Sequence, residues 1–190
     1  MVNAGYLNNL KSTTWIINSS RGEVIDNTAL RIALRSGSIG GAVLDVWENE
    51  STGIDEELLR LVELGTPHIA GYSVEGKANA SAQVLSALGQ HFNLEALKNY
   101  QVPAKLLPSP SAPLVLLGSA SSEQAALLTA VRQSYAIRTD TAQLRKTPGL
   151  FEDLRSNYVF RREFSAYRAV IDAPAPAIRT KLKGLGFQVS

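Results

Sequence analysis

Short apolar runs recur through the first 70 residues, each followed by polar residues. Runs of this length, bounded by turn-forming residues, predict buried β-strands rather than helices. Three such strands are predicted, at Trp15–Asn18, Gly41–Val46 and Thr66–Ala70. Polar and charged side chains that could bind a ligand lie at or just after the end of each predicted strand.

Amphipathic stretches separate these runs. Asp26 predicts the N-cap of a helix that ends at Gly37, and Asp55 predicts the N-cap of a second helix. Their apolar stripes consist of Ala29, Leu30, Ala33 and Leu34, and of Leu58, Leu59 and Val62. Strands alternating with helices at this spacing predict an α/β fold with parallel strands and crossover helices.

The pattern changes after Gly71. A long helix is predicted from Glu75 to His91, with a stripe of small and apolar residues at Ala78, Ala82, Leu85 and Leu88. Four prolines, at positions 103, 108, 110 and 113, predict a linker because proline disfavours both helices and central strands. The predicted division is therefore 1–72, 73–100, 101–113 and 114–190.

The last of these segments predicts a small α+β domain. Its strands are placed at Leu114–Gly118, Tyr167–Ile171 and, as an edge strand, Gly184–Phe187. Three helices are predicted in this segment. The first is capped by Ser122 and has Leu127, Leu128 and Val131 on its buried face. The second is Phe151–Asn157, and the third begins at Pro174.

Composition narrows the possible functions. The 190 residues include no cysteine, which excludes disulfides and thiolate metal sites; no metal site is predicted, and a reducing, cytoplasmic compartment is expected. No apolar run approaches the ~20 residues that a membrane span needs. Residues 109–190 carry a net charge of +5 against −3 for 1–108, but apart from Arg161-Arg162 the cations are scattered. We therefore predict neither a membrane nor a nucleic-acid partner.

Three residues that follow the predicted strands could together oxidise a hydroxy acid. The planar guanidinium of Arg21 matches a substrate carboxylate, and the imidazole of His68 can accept a hydroxyl proton. Glu50 could hold one imidazole nitrogen and so fix the tautomer. Asp45 could accept a hydrogen bond from a cofactor amide or cap the following turn. The other histidine, His91, has no motif around it, and we expect it to be solvent-exposed or to cap its helix.

These motifs resemble the NAD-dependent D-2-hydroxyacid dehydrogenases. The resemblance spans nearly the whole chain, and the first part is similar to the second half of a Rossmann-type nucleotide-binding domain. The motifs that carry it are Asn18–Gly22, Ile25–Leu30, Val43–Glu48, Gly65–Ala78, Thr141–Lys146, Phe151–Tyr158 and Arg161–Glu163.

The resemblance implies a role for each candidate residue. Arg21 would bind and polarise a small phosphorylated hydroxy acid, His68 would accept its proton, and Glu50 would pair with His68. The implied NAD contacts are Ser19, Ser20, Arg21, Asp45 and Gly71, and Tyr72 would contact the substrate. The last domain would form a homodimer.

Two departures from the family pattern qualify this expectation. Ser51 stands where family members often have proline, and none of the 14 glycines forms a phosphate-binding loop after a strand. We therefore expect a C-terminal fragment that exposes a sheet edge and an apolar face, associates with itself, and lacks activity alone. Two alternatives stay open: a dehydrogenase of another hydroxy acid, such as a phosphoglycerate dehydrogenase, and a non-catalytic dimerisation module.

Overall fold

Residues 1–103, 106–107, 114–117, 122–171 and 175–190 are described by a computed structural model of the chain. Their contacts divide them into two units that do not follow the order of the chain. Unit 1 contains Met1–Ala70 and Ile137–Tyr158, and unit 2 contains Gly71–Ala136 and Val159–Ser190. Three of the four prolines of the predicted linker, at positions 108, 110 and 113, lie outside the described residues.

Unit 1 is built on a three-stranded parallel sheet. Strands β1 (Trp15–Asn18), β2 (Gly41–Leu44) and β3 (Leu64–Gly65) lie in the order β1-β2-β3, and Asn18 is in register with Leu44. The carboxyl ends of the strands therefore lie at one edge of the sheet. Strand β1 lies at the expected exposed edge of the sheet. The prediction that it is a buried strand is wrong, because among the described residues it pairs with β2 alone and Trp15 and Ile17 are exposed.

The helices between these strands begin where the sequence predicts. After the short α1 (Ala4–Leu7), α2 (Asn27–Ser36) starts at Asp26, whose carboxylate accepts a hydrogen bond from the Ala29 N–H at 2.9 Å. It ends at Gly37, whose φ of 69° lies in the left-handed region that glycine adopts freely. Helix α3 (Glu56–Leu61) is capped in the same way by Asp55.

A segment distant in sequence completes unit 1. Helices α6 (Ile137–Lys146) and α7 (Phe151–Ser156) bury Leu144 and Phe151 in the same core as the side chains of α2 and α3. The Arg145 guanidinium donates to the Leu59 and Val62 carbonyls, at 3.2 and 2.6 Å, which are free because they end α3. Segment 137–158 is thus fixed to unit 1 by both apolar and polar contacts.

The sequence prediction of the third strand is wrong in position. The strand is Leu64–Gly65, and Thr66–Ala70 forms a turn instead. The reason is that the N–H groups of His68, Ile69 and Ala70 all converge on Asp45, which curls the backbone. Strand β2 likewise ends at Leu44 rather than at Val46.

Unit 2 contains the long helix α4 (Val74–His91) and a second parallel sheet. Its strands β4 (Leu114–Leu117), β5 (Arg168–Ile171) and β6 (Gln188–Val189) lie in the order β4-β5-β6, with α5 (Glu123–Ser134) and α8 (Pro176–Gly184) as its other helices. Buried residues of its core include Ala130, Tyr167, Ala169, Ile171, Leu182 and Phe187.

Three predictions for unit 2 need correction. The predicted edge strand lies at Gln188–Val189, because the chain is still helical at Gly184. Helix α8 begins at Pro176, and Pro174 is outside the described residues. On α5, Leu128 is exposed, because the helix turns the small residues Ala126 and Ala130 inward. No helix in the described part of the chain is long and apolar enough to cross a membrane.

A shielded ion pair fixes the first turn of α4 within unit 2. The Glu75 carboxylate accepts hydrogen bonds from Arg162 Nε at 2.7 Å and from the Glu163 N–H at 2.9 Å, and both charged side chains are 13% exposed. Burial alone raises the pKa of Glu75, but the bonds from Arg162 and the backbone outweigh it and hold this pKa below its ordinary value.

We expect Glu75→Gln to lower the free energy of unfolding by about 2–3 kcal/mol at pH 7, because Arg162 loses its counter-charge in a shielded site. Since the folded pKa is lowered, the wild-type advantage is present above about pH 4.5 and is lost as the pH falls through the folded value. Urea denaturation at pH 7 and pH 3 measures this. Glu95→Gln is the control, because the Glu95 carboxylate beside Lys98 is 79% exposed, and its free energy of unfolding should stay close to that of wild type. An equal difference in stability between wild type and Glu75→Gln at both pH values would contradict the assignment.

Candidate active site

The turn after β1 is held by the buried side chain of Asn18. Its Nδ2 donates to the Arg21 carbonyl at 2.9 Å, and its Oδ1 accepts from the Ser20 N–H at 3.1 Å and hydroxyl at 2.8 Å. This network fixes the backbone that carries Arg21, whose guanidinium is exposed beyond the sheet and donates to the Ser20 carbonyl at 2.6 Å. Arg21 can therefore reach a ligand at the carboxyl edge of the strands.

The turn that carries His68 is organised by Asp45, which directly follows β2. One carboxylate oxygen accepts hydrogen bonds from the Thr66 hydroxyl at 2.6 Å and the Ile69 N–H at 2.8 Å, and the other accepts from the Ala70 N–H at 2.9 Å. The Asp45 carbonyl accepts from the His68 N–H at 2.7 Å. Asp45 thus stabilises the backbone on both sides of the imidazole.

His68 itself has a φ of 57°, in the left-handed region that residues other than glycine seldom adopt. The surrounding bonds to Asp45 over-determine this conformation. Backbone outliers of this kind concentrate at functional sites, where the conformation aims a side chain. At His68 it aims the imidazole toward Glu50.

Glu50 is bonded through both carboxylate oxygens. Oε2 lies 2.8 Å from His68 Nδ1, and Oε1 accepts a hydrogen bond from the Trp47 N–H at 3.0 Å. The Trp47 indole is itself buried and donates to the Thr66 carbonyl at 3.0 Å. Since an ionised carboxylate only accepts, His68 Nδ1 carries the hydrogen and Nε2 is the nitrogen able to accept a proton.

These side chains surround one cavity of about 390 Å³ in unit 1. Arg21, Glu50 and His68 all line it, so the structure brings together the three residues proposed from sequence for the chemistry. Arg155, Glu23 and Glu152 contribute further charged groups. A cavity lined by a carboxylate-held imidazole and two guanidinium groups can bind an anionic substrate and remove a proton from it.

The other candidate residues are divided between the units. In unit 1, Ser19 and Ser20 are exposed at the carboxyl end of β1, whereas the Asp45 carboxylate is occupied by the bonds described above. Gly71 and Tyr72 belong to unit 2. There the Tyr72 ring lies edge-on to Phe160, with Lys77 Nζ 4.4 Å from the Tyr72 ring centroid. His91 is exposed at the end of α4.

Sequence reasoning missed two residues of unit 1 that shape the site. Asn18 could have been recognised, because an asparagine at a strand end before two serines is well suited to stabilise a turn. Arg155 carried no comparable signal: it lies more than 100 residues from Glu50 in the chain, and only the packing of segment 137–158 brings it to the cavity.

Polar and charged side chains at the carboxyl edge of a parallel sheet lie where α/β domains commonly bind their ligands. Residues 1–70 match the family described as D-isomer specific 2-hydroxyacid dehydrogenase, NAD binding domain. Residues 106–186 match a second family, described as a domain of unknown function (DUF3410). Residues 1–70 are therefore similar to the NAD-binding domain of the D-isomer-specific 2-hydroxyacid dehydrogenases.

Curated relatives are named more specifically. The chain is 46% identical over 166 residues to erythronate-4-phosphate dehydrogenase of Bacteroides fragilis, a match that covers 87% of this chain and 44% of that protein. It is 40% identical to the enzyme of the same name from Escherichia coli, covering 93% of this chain and 46% of that protein. The chain thus spans slightly less than half the length of these relatives.

Solved structures of related dehydrogenases also match in part. One is an NADPH-dependent glyoxylate/hydroxypyruvate reductase from Sinorhizobium meliloti, with 34% identity and a TM-score of 0.41, covering 54% of this chain and 35% of that one. Another is a D-lactate dehydrogenase from Aquifex aeolicus complexed with NAD and lactic acid, with 27% identity and a TM-score of 0.39. This match covers 54% of this chain and 36% of that one.

Proposed function

We propose that this chain supplies the catalytic residues for NAD-dependent oxidation of 4-phospho-D-erythronate to 2-oxo-3-hydroxy-4-phosphobutanoate, a step in vitamin B6 synthesis. The observation that carries the proposal is the Glu50–His68 pair beside Arg21 in one cavity. The substrate is taken from the names of the curated relatives.

The proton of the substrate hydroxyl would pass to His68 Nε2. Glu50 holds Nδ1 at 2.8 Å, which fixes the tautomer and stabilises the imidazolium that forms when the proton arrives. Loss of that proton allows the carbinol carbon to become a carbonyl as its hydride leaves. His68 would return the proton to solvent after turnover.

Arg21 would bind the carboxylate next to the reacting carbon. Its guanidinium fork offers two parallel N–H donors, which match the two carboxylate oxygens. Because the Asn18 network fixes the Arg21 backbone, this contact would also orient the substrate hydroxyl. The substrate would then lie between Arg21 and His68.

The donor groups at the sheet edge fit a nicotinamide cofactor. Ser19 and Ser20 present exposed polar groups at the carboxyl end of β1, where cofactors bind in open parallel sheets. When bound, NAD supplies the acceptor for the hydride. We propose that NAD contacts Ser19, Ser20, Arg21, Asp45 and Gly71. We propose that the substrate contacts Tyr72.

We also propose a cytoplasmic homodimer that forms through residues 114–190. Within this segment Leu128, Val159, Phe160 and Leu185 are between 43% and 85% exposed. Burial of such side chains against another protein would remove apolar surface from water, which favours association. A second copy of the chain would cover them.

The test measures NADH formation from 4-phosphoerythronate by two proteins. One is this chain; the other, called the extended protein, is this chain completed with the part of the Bacteroides fragilis relative that it does not match. We expect turnover by the extended protein only. If neither protein turns over although the extended one binds NADH, the substrate assignment is wrong, and other hydroxy acids such as phosphoglycerate are tried next.

A further inference from the structure

Arg155 of α7 enters the cavity from a part of the chain that has no match to the NAD-binding family. Its Nη1 lies 3.8 Å from Glu50 Oε2, the same oxygen that contacts His68. It also lies 3.8 Å from the Glu152 carboxylate. The region matched by the family of unknown function thus adds a second guanidinium to the cavity that Arg21 and His68 also line.

The Arg155 guanidinium makes only long ion-pair contacts among the residues that the structure describes. Both ion-pair distances exceed the ~2.8 Å of a charge-assisted hydrogen bond. In the part of the chain that the structure describes, Arg155 donates no side-chain hydrogen bond. Its side chain is only 30% exposed, so solvent screens its charge less than that of an ordinary surface arginine.

The position of Arg155 is well determined by the packing of α7. Phe151, one turn earlier, is buried, and Leu154 packs on the same core. Arg145 anchors the preceding helix to the end of α3. A cation held on a packed helix can bind a ligand at little entropic cost.

We propose that Arg155 is a substrate-binding residue that determines specificity by binding the phosphate of the substrate, while Arg21 binds the carboxylate at the other end. This inference rests on the proposed function. The substrate phosphate is a dianion, and a guanidinium with available N–H donors can bind two of its oxygens in a bidentate manner. Glu152 is 55% exposed, so solvent screens its repulsion of the phosphate.

The test compares Arg155→Met with wild type in the extended protein. We expect the KM for 4-phosphoerythronate to rise on the order of 10- to 100-fold, as for loss of a charged hydrogen-bonding group, with kcat changed less than about 3-fold. Isothermal calorimetry with inorganic phosphate should show a matching loss of affinity. Arg155→Lys should partly restore the KM and the phosphate affinity, because lysine keeps the positive charge but lacks the paired N–H donors of the guanidinium.

Arg138→Met is the matched control, because Arg138 is on the same segment, pairs with Glu63 and does not line the cavity. It should leave both readouts unchanged. Unchanged KM and phosphate affinity in Arg155→Met would overturn the inference, as would a loss of kcat alone. Failure of the proposed function is distinct, since it appears in the wild-type extended protein as absence of turnover.

Discussion

In the extended protein, His68→Gln is expected to lower kcat for 4-phosphoerythronate oxidation by about 10²- to 10⁴-fold, the usual contribution of a positioned general base. Glutamine has a similar size and can still donate a hydrogen bond to Glu50, but its amide nitrogen cannot accept a proton. Substrate binding through Arg21 does not depend on the imidazole, so KM should change little. Steady-state NADH formation at saturating NAD measures both constants.

His91→Gln provides the control for this experiment, because the chain has only two histidines and His91 is exposed at the end of α4. Its kcat should equal that of wild type. A wild-type kcat in His68→Gln would reject His68 as the base, and the Glu50 contact would then have only a structural role.

The elements of unit 1 that were predicted correctly are those set by local sequence. Asp26 and Asp55 cap their helices because a carboxylate two or three residues before a free N–H can bond it whatever the rest of the chain does. Gly37 ends α2 because the left-handed turn there costs glycine little. Strand β1 likewise has the predicted bounds.

The turn at 66–70 was not predictable from its own residues. Thr66, Ile69 and Ala70 have an apolar pattern typical of a strand, and only the Asp45 carboxylate, more than 20 residues earlier, draws their polar groups together. The sequence placed Asp45 at the end of a predicted strand without indicating its partners. Functional turns held by distant residues are where patterns read from sequence are expected to fail.

The same reasoning explains why Arg155 was missed. An amphipathic helix reveals which of its faces is apolar but not which surface covers that face. Leu144 and Phe151 cover the core of unit 1, although unit 2 contributes the residues on both sides of segment 137–158. Candidate residues near the strand ends were found because parallel sheets gather them at one edge, whereas no such rule places α7.

Gly22→Ala is expected to destabilise unit 1 by about 3 kcal/mol or more, because an added methyl group would force the backbone apart. A Cβ on Gly22 would lie 2.0 Å from the Trp47 carbonyl oxygen, and no side-chain rotation relieves a clash with backbone. Urea denaturation followed by tryptophan fluorescence measures the loss, since both tryptophans belong to unit 1.

Gly149→Ala is the control, because a Cβ there meets nothing within 4 Å, and its stability should stay within about 0.5 kcal/mol of wild type. The methyl group of Gly22→Ala would push the turn after β1 away from Trp47. Both parts position site residues, because Arg21 precedes the glycine and the Trp47 N–H donates a hydrogen bond to Glu50. Any folded Gly22→Ala protein should therefore also lose turnover in the extended form. Wild-type stability would mean that the turn after β1 does not pack on Trp47, and the shared cavity of Arg21 and His68 would then be wrong.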